Sequence, residues 1–129
     1  MRSELDSMIT SLRYDPPVVP LPTGSAAAAR AATSALASLV KDSSVWTCFS
    51  LSGSRQMLID SMPDGPPLAQ PQLATCTMKI EATPLRLWRM TLSLRLEKPD
   101  PNVGAGETFI VWVNPDGTLG ARSGGPLVP

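Results

Sequence analysis

The sequence predicts an α+β fold, with two N-terminal helices packed on a mostly antiparallel, five-stranded meander sheet. Helical signals come first in the chain and strand signals follow, an order that indicates α+β and not repeated βαβ units. Apolar residues occupy every second position in two long runs, at about 74–83 and 86–98. Such alternation is typical of strands with one apolar and one polar face. The 129 residues, 43% of them hydrophobic, have the size of a single domain.

The N-terminal part of the chain predicts a helix and an extended arm. Ser3 is a favourable N-cap, and apolar residues follow at helical spacing over 4–13. Prolines then keep residues 15–23 extended. This arm cannot bury its own apolar side chains, so we predict that they lie across a neighbouring subunit. The predicted oligomer interface is Val18, Val19 and Leu21.

The second helix is predicted from Thr23-Gly24-Ser25 to about Lys41, because alanine, the best helix former, dominates this segment. A β-hairpin is expected next, with strands at 45–51 and 55–61 around the loop Ser52-Gly53-Ser54. A proline-rich loop then leads to the two long alternating strands.

The last predicted strand, 107–113, is apolar on both faces and is therefore expected to be covered on both sides. Asn114-Pro115-Asp116-Gly117 is a turn signal. We interpret the chain as one domain in three parts: a helix and arm (1–23), a core (24–119) and a loose or neighbour-docked Gly/Pro-rich tail (120–129).

The composition of the chain limits where the protein can be located and which partners it can have. Eleven basic and eleven acidic residues cancel, and the charged fraction is only 17%. A weakly charged surface is compatible with burial against other subunits. No apolar run is long enough to span a bilayer, and the acidic N-terminus does not predict a signal peptide. We therefore expect a cytoplasmic protein without a membrane partner, and two buried cysteines, Cys48 and Cys76, that are free and not paired.

The residue types argue against catalysis. The chain contains no histidine, which removes Ser-His and Cys-His pairs and the commonest metal ligand. Two isolated cysteines do not make a zinc site. The carboxylates fall at strand ends and turns, where solvated positions are the default. We predict no catalytic residue, no metal site and no cofactor, and a carboxylate-dependent enzyme is the least favoured class.

One constellation could bind a ligand. Basic and hydroxyl side chains alternate on the polar face of the two long strands, a combination suited to phosphate groups. Glu81 and Glu97 share this face, and no exposed aromatic residue is expected beside it to stack on bases. The predicted nucleic-acid-binding residues are Lys79, Arg86, Arg89, Thr91, Ser93 and Arg95, with Thr75 and Thr77 among them.

These observations favour a non-enzymatic, self-assembling structural protein, such as a small viral or phage coat or nucleocapsid subunit, with RNA or DNA on the polar sheet face. In size and in its Arg- and Thr-bearing sheet the chain resembles the small coat proteins of RNA bacteriophages, although their helices follow the sheet and here they precede it. A virion location would follow. The alternative is a dimeric peptide-binding adaptor or secretion-type chaperone.

Overall fold

A computed structural model describes residues 25–51 and 53–126 as one α-helix, one 3-10 helix and a five-stranded antiparallel sheet. The helix α1 is Ser25–Val40 and the 3-10 helix is Ser44–Cys48. The strands are β1 (Arg55–Ser61), β2 (Pro67–Ala82), β3 (Trp88–Asp100), β4 (Gly104–Val113) and β5 (Leu119–Pro126). The strands pair in chain order, which makes the sheet a meander. The predicted helix at 4–13 and the arm at 15–23 lie outside the described residues.

Helix α1 covers one face of the sheet with its smallest side chains. Ala31, Ala32, Ala35 and Leu39 are buried, whereas Val40 is exposed. Alanine brings the helix backbone close to the sheet, so most of the larger core side chains come from the strands and from the 3-10 helix, whose Trp46 is fully buried. The buried strand residues of the core are Ile59, Leu68, Ala74, Cys76, Trp88, Met90, Leu92, Leu94, Leu96, Phe109, Val111 and Val113. No described helix is long and apolar enough to cross a membrane.

The predicted strand at 45–51 is wrong, because residues 44–48 form a 3-10 helix. Ser43 caps it, and the Ser43 hydroxyl accepts a hydrogen bond from the amide of Val45 at 3.3 Å. Burial here comes in adjacent pairs: Val45 and Trp46 are buried, Thr47 is exposed, and Cys48 and Phe49 are buried. A strand would send neighbours to opposite faces, whereas a tight helical turn directs both members of a pair to the core.

The fifth strand comes from the opposite end of the chain. Residues 120–126 were predicted as part of a loose or neighbour-docked tail, but they belong to β5, which pairs with β4 from Glu107↔Pro126 to Val113↔Leu119. Backbone pairing needs no alternating side chains, so this strand has no periodic signal in the sequence. The predicted turn at 114–117 joins β4 to β5, with Gly117 at a φ of +89°.

Cys48 and Cys76 form a disulfide, with their Cα atoms 5.8 Å apart, so the expectation of two free thiols is wrong. The bond joins the 3-10 helix to the core face of β2. Both residues are fully buried. Because Cys48 lies on a helical turn above the sheet and not in a strand, its side chain points down onto Cys76.

A close approach between two strands requires a glycine in β4. Gly106 has a φ of +133°, a conformation that side chains rarely adopt. A Cβ atom at this position would lie 2.0 Å from the carbonyl oxygen of Leu94 in β3. The pairing of Arg95 with Gly106 therefore depends on the missing side chain.

Candidate functional site

The sheet face opposite α1 is the open face: no described residue packs over it. Alternation and register place its side chains together, because residues paired across antiparallel strands point to the same side. The open face consists of Gln56, Leu58, Leu73, Thr75, Thr77, Lys79, Glu81, Arg89, Thr91, Ser93, Arg95, Glu97, Thr108, Ile110, Trp112 and Ser123.

The structure brings five of the six predicted nucleic-acid-binding residues onto the open face, in adjacent rows. Lys79 pairs with Thr91, and Thr75 pairs with Arg95. Ser93 lies between Thr77 and Thr108, and its hydroxyl is 3.5 Å from the Thr108 hydroxyl. These rows form a band of small hydroxyl side chains with a basic side chain on either side.

Arg86 is separate from the rows. It lies in the turn between β2 and β3, is exposed, and has a φ of +61°. The turn is closed by Thr83, whose hydroxyl donates to the Leu87 carbonyl at 2.7 Å. Arg86 therefore extends from the end of the sheet, and it can reach a long ligand but not a compact one held at the centre of the open face.

Glu81 neutralises part of the basic charge. Its carboxylate forms ion pairs with Arg89 on β3 and with Lys79, the latter at 3.2 Å. The hydrogen bonds from Arg89 and Lys79, together with the charge of Lys79, lower the pKa of Glu81, so it stays ionised at neutral pH. Arg95 makes no ion pair with any described residue. Three basic and two acidic side chains leave the open face with one net positive charge.

Apolar side chains also lie on the open face. Strand β4 was expected to be covered on both sides, but described residues cover only its helix-facing side. Ile110 and Trp112 project from the other side and are half-buried. Trp112 is paired with Arg89, and Ile110 with Thr91. Sequence reasoning missed Trp112 as a site residue, because a strand apolar on both faces does not reveal which face stays uncovered.

A second apolar pair lies near the opposite corner of the open face. Leu58 on the edge strand β1 pairs with Leu73 on β2, and their exposed fractions are 65% and 40%. Within the described chain, β1 and β5 each pair with one strand only, so each leaves one sheet edge free. Free edges and exposed apolar pairs are features that monomeric proteins usually suppress.

No group of three or more potential metal-ligating side chains is found among the described residues. The predicted interface residues Val18, Val19 and Leu21 lie outside the described residues. Comparison with protein-family models, curated proteins and solved structures gives no match. The open face therefore has to be interpreted from its own chemistry.

Proposed function

We propose that this protein is a non-enzymatic, self-assembling structural subunit of the viral or phage coat type, whose open face contacts nucleic acid. One observation carries the proposal. Ile110 and Trp112 stand half-buried on an uncovered sheet face, directly beside Arg89 and near Lys79. Apolar surface that no described residue covers, combined with basic and hydroxyl groups, suits a partner with flat bases and phosphates.

The free sheet edges support assembly. An edge strand offers unpaired backbone groups, and a second copy can continue the ladder there. Strand β5 is short of bulky side chains, with glycine at positions 120, 124 and 125, so a neighbouring strand can approach it without obstruction. In this proposal, Val18, Val19 and Leu21 supply a further contact by lying across the next subunit.

The open face supports nucleic-acid contact through two kinds of group. An indole ring gives a surface on which a base can stack, and stacking tolerates any base. Arg95, which has no ion-pair partner among the described residues, and Arg89 supply charge for phosphates, while Thr91 and Ser93 can position them. Arg86 and Lys79 extend the basic surface along the strand.

The disulfide bears on location. Disulfides persist in oxidising surroundings, which include virion surfaces, and are rare in the reducing cytosol. For a coat subunit we propose synthesis in the cytoplasm and a final location in the virion, where the bond between Cys48 and Cys76 is retained.

Assembly is tested by light scattering on the purified full-length chain. We expect particles far larger than a dimer, and we expect Val18→Asp with Leu21→Asp to reduce them to small species with unchanged circular dichroism. Lys41→Glu, at an exposed position just after the end of α1, serves as a control for added charge. A monomeric wild-type protein would refute the assembly proposal.

Nucleic-acid contact is tested by retention of RNA on purification and by salt titration. Arg89→Ala with Arg95→Ala should remove most retained RNA, and each lost phosphate contact should reduce the slope of log affinity against log salt by about 0.7–0.9. Trp112→Ala should weaken binding with little change in that slope. Arg30→Ala with Lys41→Ala removes the same charge from the helix side and should have no effect. Equal RNA retention by all variants would refute the role of the open face.

A second function is favoured by Leu58 and Leu73. An exposed apolar pair beside the free edge of β1 is suited to an extended peptide that adds a strand to the sheet. A dimeric peptide-binding adaptor or secretion-type chaperone would use this corner. A dimeric mass, no retained nucleic acid and loss of peptide binding in Leu58→Ser would support this function over the first.

A further inference from the structure

A groove at one corner of the open face forms where β2 and β3 stop pairing in register. The register of the two strands ends at Ala74↔Leu96. Beyond this pair, the amide of Lys98 donates to the side-chain oxygen of Gln72 at 2.9 Å. A side chain therefore replaces a backbone partner here, and residues of both strands line a groove of about 490 Å³. This volume lies within the range of about 300–1,000 Å³ that is typical of ligand clefts.

Three prolines and two leucines line the groove. Pro71, Pro99 and Pro101 have no amide hydrogen, so they cannot donate to a neighbouring strand. Leu58 and Leu73 are the exposed apolar pair of this corner. No described residue covers these side chains, and the groove therefore offers apolar surface to a partner.

The charge of the groove disfavours nucleic acid as that partner. Glu97, Lys98 and Asp100 line it, which leaves one net negative charge. The Asp100 carboxylate is held in place, since it accepts from the amide of Ala69 at 2.9 Å and from the amide of Asn102 at 2.8 Å. A phosphate group would be repelled here, so an uncharged apolar segment is the better partner.

The chain itself contains such a segment. Residues 16–22 read Pro-Pro-Val-Val-Pro-Leu-Pro and carry no charge. The prolines favour a polyproline conformation, which rises about 3.1 Å per residue, so residues 17–21 would cover about 12 Å. Residues 69–73 of β2, which line the groove, cover about 13 Å. The two lengths match, and a segment that prolines hold extended loses little entropy on binding.

The arm of a copy cannot reach the groove of the same copy. Helix α1 begins at Ser25, and Ala27 lines a cavity together with Trp88, at the opposite end of β3 from the groove. Glu97 lies nine positions along β3 from Trp88, a distance of about 30 Å. Val18 precedes Ser25 by seven residues, which span at most about 25 Å when fully extended. The groove also lies on the other face of the sheet from α1, which lengthens the path further.

We propose that residues 17–21 of one copy lie in the groove of a second copy, with Val18 and Leu21 against Leu58 and Leu73. A polyproline helix repeats every three residues, so Val18 and Leu21 share one side of the arm and Val19 lies on another. This inference rests on the proposed self-assembly, and it specifies the surface of the next subunit that the arm contacts.

A peptide-binding assay tests the groove. The receptor is the full-length variant Val18→Asp with Leu21→Asp, whose own arms no longer fill the groove, and the probe is a fluorescent peptide of residues 14–23. We expect saturable binding by fluorescence anisotropy. Leu73→Asp or Leu58→Asp in this receptor replaces an apolar contact by a charge and should weaken binding by about tenfold or more. Leu85→Asp is the control, because Leu85 is exposed in the turn at the other end of the sheet, and it should bind as the receptor does.

Changes in the peptide test the contact side of the arm. Leu21→Asp in the peptide should weaken binding by about tenfold or more, whereas Val19→Asp should change it by less than about threefold. A peptide with the same composition in scrambled order should not saturate the receptor. These three peptides separate a specific contact from general apolar attraction.

Cross-linking tests docking between copies of the full chain. Copies with Val18→Cys and copies with Leu58→Cys carry different tags and are assembled together. Oxidation should join the two tags in one disulfide-linked pair. Val18→Cys with Leu85→Cys is the control and should give no such pair.

Three outcomes would overturn the proposal: no saturable binding of the peptide, equal affinity of the scrambled peptide, or unchanged affinity in the groove variants. If Leu73→Asp alters the circular dichroism, Leu58→Asp decides, because Leu58 is the more exposed of the two. Large particles without peptide binding would refute this docking and leave the assembly proposal standing. Peptide binding and cross-links in a protein that forms only small species would support the docking and refute the coat-type particle.

Discussion

Reduction of the disulfide between Cys48 and Cys76 should remove a large share of the stability of this domain. The bond joins residues 28 positions apart. Closing a loop of this length lowers the entropy of the unfolded chain by about 12 cal/mol/K, which corresponds to about 3.6 kcal/mol at 25 °C. Small domains have a total stability of about 5–15 kcal/mol. The two thiols stay buried after reduction and pack as small apolar groups, so the lost cross-link should dominate the change.

The measurement is urea denaturation followed by tryptophan fluorescence, on the oxidised and the reduced protein. We expect the free energy of unfolding to fall by about 3–4 kcal/mol on reduction. The dependence on urea should become steeper, because an unfolded chain without the cross-link exposes more surface. Cys48→Ala with Cys76→Ala is the control, and its stability should not respond to reductant.

A difference below about 1 kcal/mol between the two forms would refute the loop-entropy argument. Thiol counting under denaturing conditions separates the two possible reasons. Two reactive thiols in the untreated protein would mean that the bond between Cys48 and Cys76 does not form. No reactive thiol would mean that the unfolded chain is already compact and gains little entropy on reduction.

Three further expectations concern the core, one backbone position and pH. Leu92→Ala removes a fully buried side chain and should lower the free energy of unfolding by about 2–5 kcal/mol in chemical denaturation. The control Leu58→Ala changes an exposed residue and should lower it by less than about 0.5 kcal/mol. Equal effects of the two substitutions would contradict the assigned register. Gly106→Ala should lower the free energy of unfolding by at least about 1–3 kcal/mol, because of the positive φ and the nearby carbonyl of Leu94. Gly125→Ala should be near neutral, because a Cβ atom there would lie near no other atom. A wild-type melting temperature for Gly106→Ala would contradict the close approach of the two strands. Burial raises the pKa of Glu107 in the folded state. The contribution of Glu107 to stability is therefore complete at a pH below the ordinary pKa of 4.5, and it is lost as the pH rises through the higher pKa of the folded state. Glu107→Gln should therefore gain stability relative to wild type as pH rises, and a pH-independent difference would contradict the burial of that carboxyl.

Residues 74–82 of β2 and the strand β3 were predictable because each has a single covered face, whereas residues 67–73 of β2 were expected to belong to the proline-rich loop. Alternation from Met90 to Leu96 reproduces the buried positions of β3, and the same alternation places Lys79, Arg89 and Arg95 together on the open face. The 3-10 helix and β5 were not predictable in this way. Residues 44–48 are rich in β-forming types, yet their burial follows a helical turn, and β5 consists mostly of small residues that pair through the backbone alone.

Contacts that depend on topology left weaker signals in the sequence. Two cysteines 28 residues apart carry no information on pairing until the path of the chain is known. Glu107 did carry a signal. It is in phase with Phe109, Val111 and Val113, the buried positions of β4, so an acidic residue on the core side could have been recognised there. Asp64, whose charge helps to raise the pKa of Glu107, lies in a distant turn, and only the fold brings the two residues together.

Strand β5 lies beside both the open face and the carboxyl group of Glu107, and this gives a test of whether the two sides of the sheet act separately. Arg122 on β5 lies over the ring of Trp46 on the core side, whereas the next residue, Ser123, is in register with Ile110 of the open face. No described strand pairs with the outer edge of β5, so this edge can pair with another copy. If the two sides are independent, Glu107→Gln should leave particle mass and RNA retention unchanged. If Glu107→Gln instead alters particle mass while circular dichroism stays the same, β5 transmits the state of that carboxyl group to the assembling edge, and the two sides of the sheet form one coupled system.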